Sequence, residues 1–359
     1  MTSRSQTVHI AGAGLSGMAA AINLARAGHS VVVLEAAKSI GGVHPHHPSN
    51  HSTPINLRLM KDYVGLDLTP VLHSCNSMLG FIRSCKYEMP SWPGFSVERG
   101  PRKTSIDSLL YEEALRLGVK FELGQELKDP FDLPDPAILA TGLFRGMNEL
   151  LGRPVVRLPC FSARTAVPDP SRNGDVRTWF GRYTNTYAYA SIINQLGYYL
   201  LFSDRDLTLL ELRNFEEELE RTEGVRFDHW DYFEVFVPMG RPDAPRLFAG
   251  SKILAGTLAG MMEPGLYFGI HGALVSGKIA ALAVDDPVRA YSDFRRFTRG
   301  FARCWYANRW LNNPQRQYVM AGLYRFPGLI KPLLRFADTG IPGIDHYYTD
   351  MNPRYAGRF

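Results

Sequence analysis

Apolar and polar positions along this chain change period several times, and each change marks an element. Residues 8–11 (VHIA) are an apolar run that ends at a glycine, and Met18, Ala21, Ile22, Leu24 and Ala25 then recur at helical spacing until Gly28. Residues 30–35 (SVVVLE) are a short unbroken apolar run, as expected of a parallel strand covered on both faces. A polar stretch follows to about Ser52 and reads as a loop. Ser105 opens a helical pattern through Leu109, Leu110, Ala114, Leu115 and Leu117, which Gly118 closes before the strand VKFEL. PAILATG (136–142) is a further buried strand ending in small residues. Between 155 and 240 the chain turns to β-type segments rich in Tyr, Phe, Val and Thr, interrupted by one charged helix at 214–224. RLFAGS (246–251) returns as a short strand, and the apolar run 265–284 as a helix.

This order predicts an α/β fold. Strands from the first 60 residues, from 119–142 and from 247–250 form one Rossmann-like sheet, so that domain is discontinuous. An antiparallel β-rich domain is inserted into it, and a helical C-terminal tail follows. The expected boundaries are 1–68, 99–150 and 245–290 for the first domain, 69–98 and 151–244 for the second, and 291–359 for the tail.

Composition narrows the classes. The 359 residues are 45% hydrophobic and 21% charged, enough for a large core, and the net charge of +5 suits an anionic cofactor or membrane surface rather than nucleic acid. Cys75, Cys85, Cys160 and Cys304 lack a paired spacing, which argues against a zinc or dithiol site. The polar N-terminus MTSRSQ carries no signal pattern, so a cytoplasmic location is expected. The 265–284 run is long enough to span a bilayer but holds His271, Lys278 and four glycines, so it reads as a buried helix. The basic-aromatic stretch 309–342 suits either a membrane interface or a helical cap.

Gly12, Gly14 and Gly17 spell G-x-G-x-x-G between a strand and a helix. Gly12 permits the turn, Gly14 lets the backbone approach a pyrophosphate, and Gly17 lets helix and strand pack closely. Leu15 and Ser16 open the helix whose free N–H groups would face the phosphates. Glu35 ends the second strand, with Ala36 after it, where an acid accepts adenosine ribose hydroxyls and repels a 2′-phosphate.

With Gly41, Gly42 and Val43 following Glu35, the segment resembles the N-terminal fingerprint of two-dinucleotide-binding-domain flavoproteins, which implies FAD. Three more segments resemble the geranylgeranyl reductase and p-hydroxybenzoate hydroxylase branch of FAD-dependent oxidoreductases. KTSIDSLLYEEALRLGV (103–119) fits R-x-x-F-D-x-x-L with A-x-x-x-G-V, with Lys103 in the arginine position. Ala140, Thr141 and Gly142 fit the strand end on the adenine side of FAD. Residues 264–281 fit P-x-x-G-x-G-I-x-x-A-x-x-S-G-x-x-A-A, which places Gly269 and Ile270 against the flavin ring. The branch carries a strand-end G-D-A whose aspartate binds the ribityl chain, and Ser251 is taken to stand in its place, with Lys252 beside it. The isoprenoid-reductase motif Y/F-x-W-x-F-P is echoed by GYYLLFS (197–203).

The resemblance implies a flavin-dependent reaction on a hydrophobic small molecule, with hydride transfer to a carbon–carbon double bond favoured. A flavin monooxygenase, a substrate dehydrogenase or oxidase, and a non-catalytic FAD-fold binding protein are the alternatives. The chain has no second G-x-G-x-x-G, so electrons are expected from a transient donor such as NAD(P)H or a redox protein. His271, at the start of the flavin-side helix, and His44 are the candidate acid/base residues, with Glu263 a weaker one.

The stretch SIGGVHPHHPSNHS packs His44, His46, His47 and His51 into eight residues. A metal site needs convergent ligands, and Pro45 and Pro48 stiffen an extended path that points successive rings apart, so no metal is expected. Covalent flavin attachment, flavin or substrate contact by His44 or His46, and a solvated loop stay open.

Overall fold

A computed structural model describes residues 5–42, 44–83, 85–89, 94–143, 145–238, 245–311 and 316–326. In chain order the strands are β1 (Thr7–Ala11), β2 (Ser30–Glu35), β3 (Ser49–Thr53), β4 (Leu72–Ser74), β5 (Ser77–Ile82), β6 (Cys85–Met89), β7 (Phe95–Arg99), β8 (Lys120–Leu123), β9 (Ala137–Leu139), β10 (Val156–Ala166), β11 (Asp175–Phe180), β12 (Ala188–Ile193), β13 (Leu196–Phe202), β14 (Asp231–Val237), β15 (Phe248–Ala249) and β16 (Lys252–Leu254). The helices are α1 (Leu15–Arg26), α2 (Leu57–Leu59, running on as a π-helix over Met60–Val64), α3 (Ile106–Arg116), α4 (Arg145–Leu150), α5 (Leu209–Glu223), α6 (Ile270–Asp285), α7 (Pro287–Phe297), α8 (Phe301–Leu311) and α9 (Arg316–Arg325).

Three sheets organise them. The first has the order β15-β16-β9-β1-β2-β8 and is parallel apart from the β15–β16 hairpin. Its unbroken apolar strands are covered on one side by α1 and α6, whose small residues let the two helices touch: a Cβ on Gly277 would strike the backbone of Ser16 and Ala20. The second sheet has the order β14-β10-β13-β12-β11-β5-β6 and is antiparallel except where β11 meets β5. Its two faces follow the strand period of two. Trp179, Tyr199 and Leu201 lie on one face under Phe215 and Leu219 of α5, while Cys160, Leu200, Phe202 and Val235 belong to the other.

The third sheet, β3-β7-β4, is where the predicted division of the chain meets the structure. It joins β3, expected in the first domain, to β4 and most of β7, expected in the second, and links the two large sheets. β3 replaces part of the expected polar loop. Its polar side chains find partners at the seam: half-buried Ser52 is 2.8 Å from Ser96 Oγ, and the buried Asn50 amide donates to Leu196 O at 2.6 Å. A strand with this composition has no apolar alternation to announce it.

Local signals set the element ends. Ser105 caps α3 through the Ser108 N–H, and Thr208 and Glu211 form a capping box that starts α5 earlier than the charged run suggested. Helix α6 starts at Ile270, not at 265, because residues 263–269 form a turn whose Gly265 and Leu266 N–H groups are taken by the Glu263 carboxylate. No helix among the described residues is long and apolar enough to cross a membrane, and the tail beyond residue 326 lies outside them.

Candidate functional site

The carboxyl ends of the parallel strands converge on the glycine turn. The Gly12 N–H donates to Leu34 O at 2.7 Å, tying the turn to β2. A Cβ on Gly12 would fall on the Ala140 carbonyl, and one on Gly17 on the Gly12 oxygen. Gly14 is different: a Cβ there would meet nothing within 4 Å. Open space therefore fronts the α1 N-terminus, where the N–H groups of Leu15, Ser16 and Gly17 precede the first intrahelical bond, Met18 to Gly14 at 2.9 Å. Free donors and the positive dipole end are what a phosphate group would need here.

Glu35 is fixed beside it. One carboxylate oxygen accepts the Ala13 N–H at 2.7 Å and the other the Ala37 N–H at 2.8 Å, with Ala36 in the bend between. Each oxygen keeps a lone pair for a ribose hydroxyl. Across the turn, β9 is followed by Ala140, Thr141 and Gly142; Thr141 Oγ1 is buried with no hydrogen-bond partner among the described residues. An orphaned hydroxyl, an open glycine and a held carboxylate together fit the nucleotide half of a bound dinucleotide. Gly41 (φ 95°) lies against the Gly100 carbonyl, and Gly42 (φ 74°) against the His47 ring. Val43 lies outside the described residues.

Strand register corrects the Ser251 assignment. β16 runs parallel to β9 with Leu254 opposite Leu139, and the Ala255 N–H reaches Leu139 O at 2.9 Å. Past the carboxyl end come Ala255, Gly256 and the hydroxyl residue Thr257, and a Cβ on Gly256 would strike the Ser16 side chain. Ser251 sits at the opposite end of the strand, in the exposed hairpin turn beside Asp135. Lys252 is buried and committed, donating to Leu133 O at 2.5 Å and to Asp135 at 2.7 Å. The sequence offers two Ala-Gly-hydroxyl triplets, 249–251 and 255–257, and only the second follows the parallel strand.

One further expectation is corrected. His271 is buried and its ring stacks on Phe297 of α7, 6.0 Å between centroids, so it faces the core. Lys103 lies exposed in the turn before α3, and Asp107 is met by Arg99, bidentate at 2.8 and 2.9 Å. Burial alone would raise the Asp107 carboxyl; Arg99 and the Gly100 N–H at 2.9 Å hold it below the usual range instead. Gly269 caps α6 and Ile270 begins it, with Gly269 close to Met262. Tyr267 fills the first glycine position of the P-x-x-G-x-G pattern with φ 65°, the left-handed conformation a glycine supplies freely. Its ring packs edge-on to Phe202 at 5.5 Å.

Tyr267, Met262 and Leu143 bring the dinucleotide domain against the second face of the large antiparallel sheet. That face carries Tyr187, Tyr189, Leu200, Phe202 and Phe233, all but Phe202 only partly buried. The histidine loop closes one side. Arg164 of β10 straps it down, donating to Pro45 O, to Pro48 O at 2.7 Å and to Asp231 at 2.7 Å. His44 is exposed and pairs with Asp231 at 3.1 Å, which places it on the rim. His46 packs edge-on to Phe233 at 4.6 Å. His47 and His51 flank Ser49, at 2.9 Å each, and His51 Nδ1 is 2.9 Å from the Tyr189 hydroxyl. Burial, helped by the Arg99 charge, pushes His47 down to about 2 and His51 to about 3, so both are neutral at physiological pH. Ser49, His51 and Tyr189 are not evident as a set from sequence, because they meet only through the pairing of β3 with β7 and the packing of β12 on both.

Residues 10–56 match a family model described as an NAD(P)-binding Rossmann-like domain. An L-amino-acid oxidase of Notechis scutatus scutatus is 29% identical over 182 residues, 42% of this chain and 34% of that protein. The flavin-containing monooxygenase FMO GS-OX2 of Arabidopsis thaliana is 47% identical over 53 residues, 15% of this chain and 12% of that protein. The chain thus spans about a third or less of the curated relatives it matches. Among solved structures, a geranylgeranyl bacteriochlorophyll reductase-like protein from Thermoplasma acidophilum superposes with a TM-score of 0.67 at 14% identity, covering 98% of each chain. The p-nitrophenol 4-monooxygenase of Pseudomonas putida superposes with a TM-score of 0.64 at 16% identity, covering 94% of this chain and all 100% of its own. The domain match thus identifies residues 10–56 as an NAD(P)-binding Rossmann-like domain, and the superpositions show that the whole chain shares the fold of these solved proteins.

Proposed function

We propose that this protein is an FAD-dependent oxidoreductase acting on a hydrophobic small molecule, and that it reduces a carbon–carbon double bond. The carrying observation is the partly buried aromatic and aliphatic face of Tyr187, Tyr189, Leu200 and Phe233, turned toward the dinucleotide domain at Tyr267 and Met262. Such a face offers contact area to an apolar chain or planar ring and little that would hold an ion. The α1 N-terminus and Gly14 would bind the pyrophosphate, Glu35 the ribose, Thr141 the adenosine side and Thr257 the ribityl chain. Bound FAD supplies hydride chemistry; the residues of this chain orient the substrate, exclude water and supply the proton that must accompany the hydride. Electrons would arrive from NAD(P)H or a redox protein docking transiently.

The test is an anaerobic mixing experiment. Holoprotein reduced with dithionite is mixed with a prenyl-chain alkene, and the return of the oxidised flavin band is followed with product mass. Reoxidation with gain of two hydrogens supports the reading. Reoxidation only in air, with an oxygen atom entering a phenolic substrate, replaces it with a monooxygenase.

A further inference from the structure

The hydrogen bonds around β3 form one continuous line between two different surfaces. Its first member, His47, has its ring edge against Gly42 in the glycine pair that follows Glu35. Its last, Tyr189, has its ring on the aromatic face of the large sheet. Between them Ser49 is wholly buried and lies 2.9 Å from both His47 Nδ1 and His51 Nε2. His51 Nδ1 is 2.9 Å from Tyr189, whose hydroxyl also has the Asn50 carbonyl at a long 3.3 Å. A serine hydroxyl owns one hydrogen, so it donates to one imidazole and accepts from the other. The two rings are thereby forced into the same tautomer, whichever way the line runs. Arg99, Asp107 and His46 also face His47, and burial, helped by the Arg99 charge, keeps both rings from holding an extra proton.

We infer that His47, Ser49, His51 and Tyr189 are a proton relay that delivers a proton to substrate on the aromatic face; the destination rests on the function proposed above. The balance is simple. Tyr189 gives its phenolic proton to the substrate carbanion and takes the His51 Nδ1 proton. His51 Nε2 takes the Ser49 proton, Ser49 takes the His47 Nδ1 proton, and His47 Nε2 gains one from solvent. One proton crosses, every group ends neutral, and both rings exchange tautomer. Tyr189 is the catalytic donor in this scheme; the other three carry the proton to it.

Nitrogen NMR of histidine-labelled full-length protein tests the coupling without any turnover. The expected wild-type result is two neutral rings in the same tautomer. Tyr189→Phe should then shift the nitrogens of His47 as well as His51, and in Ser49→Ala that transmission should stop at His51. Opposite tautomers in the wild type, or a His47 that ignores Tyr189→Phe while Ser49 is present, overturn the relay. In the holoprotein, either variant should slow alkene-driven flavin reoxidation by about 100-fold with substrate affinity kept, and the solvent deuterium effect should collapse. Wild-type rates in both variants overturn it too. A chain that holds no flavin overturns the functional reading, while the NMR result still decides the relay.

Discussion

Replacing Glu35 by alanine removes the acceptor of the Ala13 and Ala37 N–H groups together with the proposed ribose partner. The predicted result is FAD affinity weakened by at least about tenfold, read by fluorescence quenching in a titration, because a charge-assisted bond contributes about 1.5–3 kcal/mol. Gly17→Ala is predicted to be more severe for the fold, since its Cβ falls on a backbone oxygen and the flexible end of a side chain is not there to yield. A loss of about 3 kcal/mol in a urea titration is expected. The three glycines, Glu35 and the 140–142 turn meet as their spacing implied, because each role is local: a turn, a helix start, a strand end. Ser251 went astray for a physical reason. Two similar triplets compete, and only pairing with β9 shows which one ends the strand.

At the scale of elements, β3 and the histidine loop depend on buried neutral imidazoles. The folded-state values of His47 and His51 lie far below their unfolded value of 6.5, so their contribution is fully present above that value and is lost as pH falls toward about 2 and 3. Between pH 6.5 and the folded values the unfolded chain binds up to two more protons. Each costs the fold about 1.4 kcal/mol per pH unit once the unfolded ring is protonated. Urea midpoints should therefore drop steeply from pH 7 to 5, and His51→Gln should make that slope shallower; an unchanged slope would contradict the burial of these rings. Arg164 makes a separate prediction. It holds two loop carbonyls and a nearly buried Asp231, so Arg164→Met should cost about 3 kcal/mol in denaturant and release the loop. Arg164→Lys should recover little, since a lysine cannot span three acceptors in one plane. None of this was legible beforehand. A strand of Ser, Asn, His and Thr looks like loop until its tertiary partners are known, and Arg164 sits more than a hundred residues from the prolines it holds.

For the whole molecule, the apolar runs foretold the parallel sheet and the aromatic composition foretold the antiparallel one, since both follow from strand period and burial. Which aromatics make a site depends on alternation between faces. Tyr199 and Tyr198 are neighbours, yet one lies under α5 and the other beside His51. In the proposed function the glycine turn and the aromatic face serve one FAD, so flavin binding is the central claim. The most direct measurement is the visible spectrum of the purified full-length chain, before and after heat denaturation, with FAD titrated into any apo fraction. The rings of the histidine loop are already engaged with Asp231, Phe233, Ser49 and Tyr189, so the predicted result is one FAD per chain that passes wholly into the supernatant. A colourless chain that binds no added FAD would contradict the account.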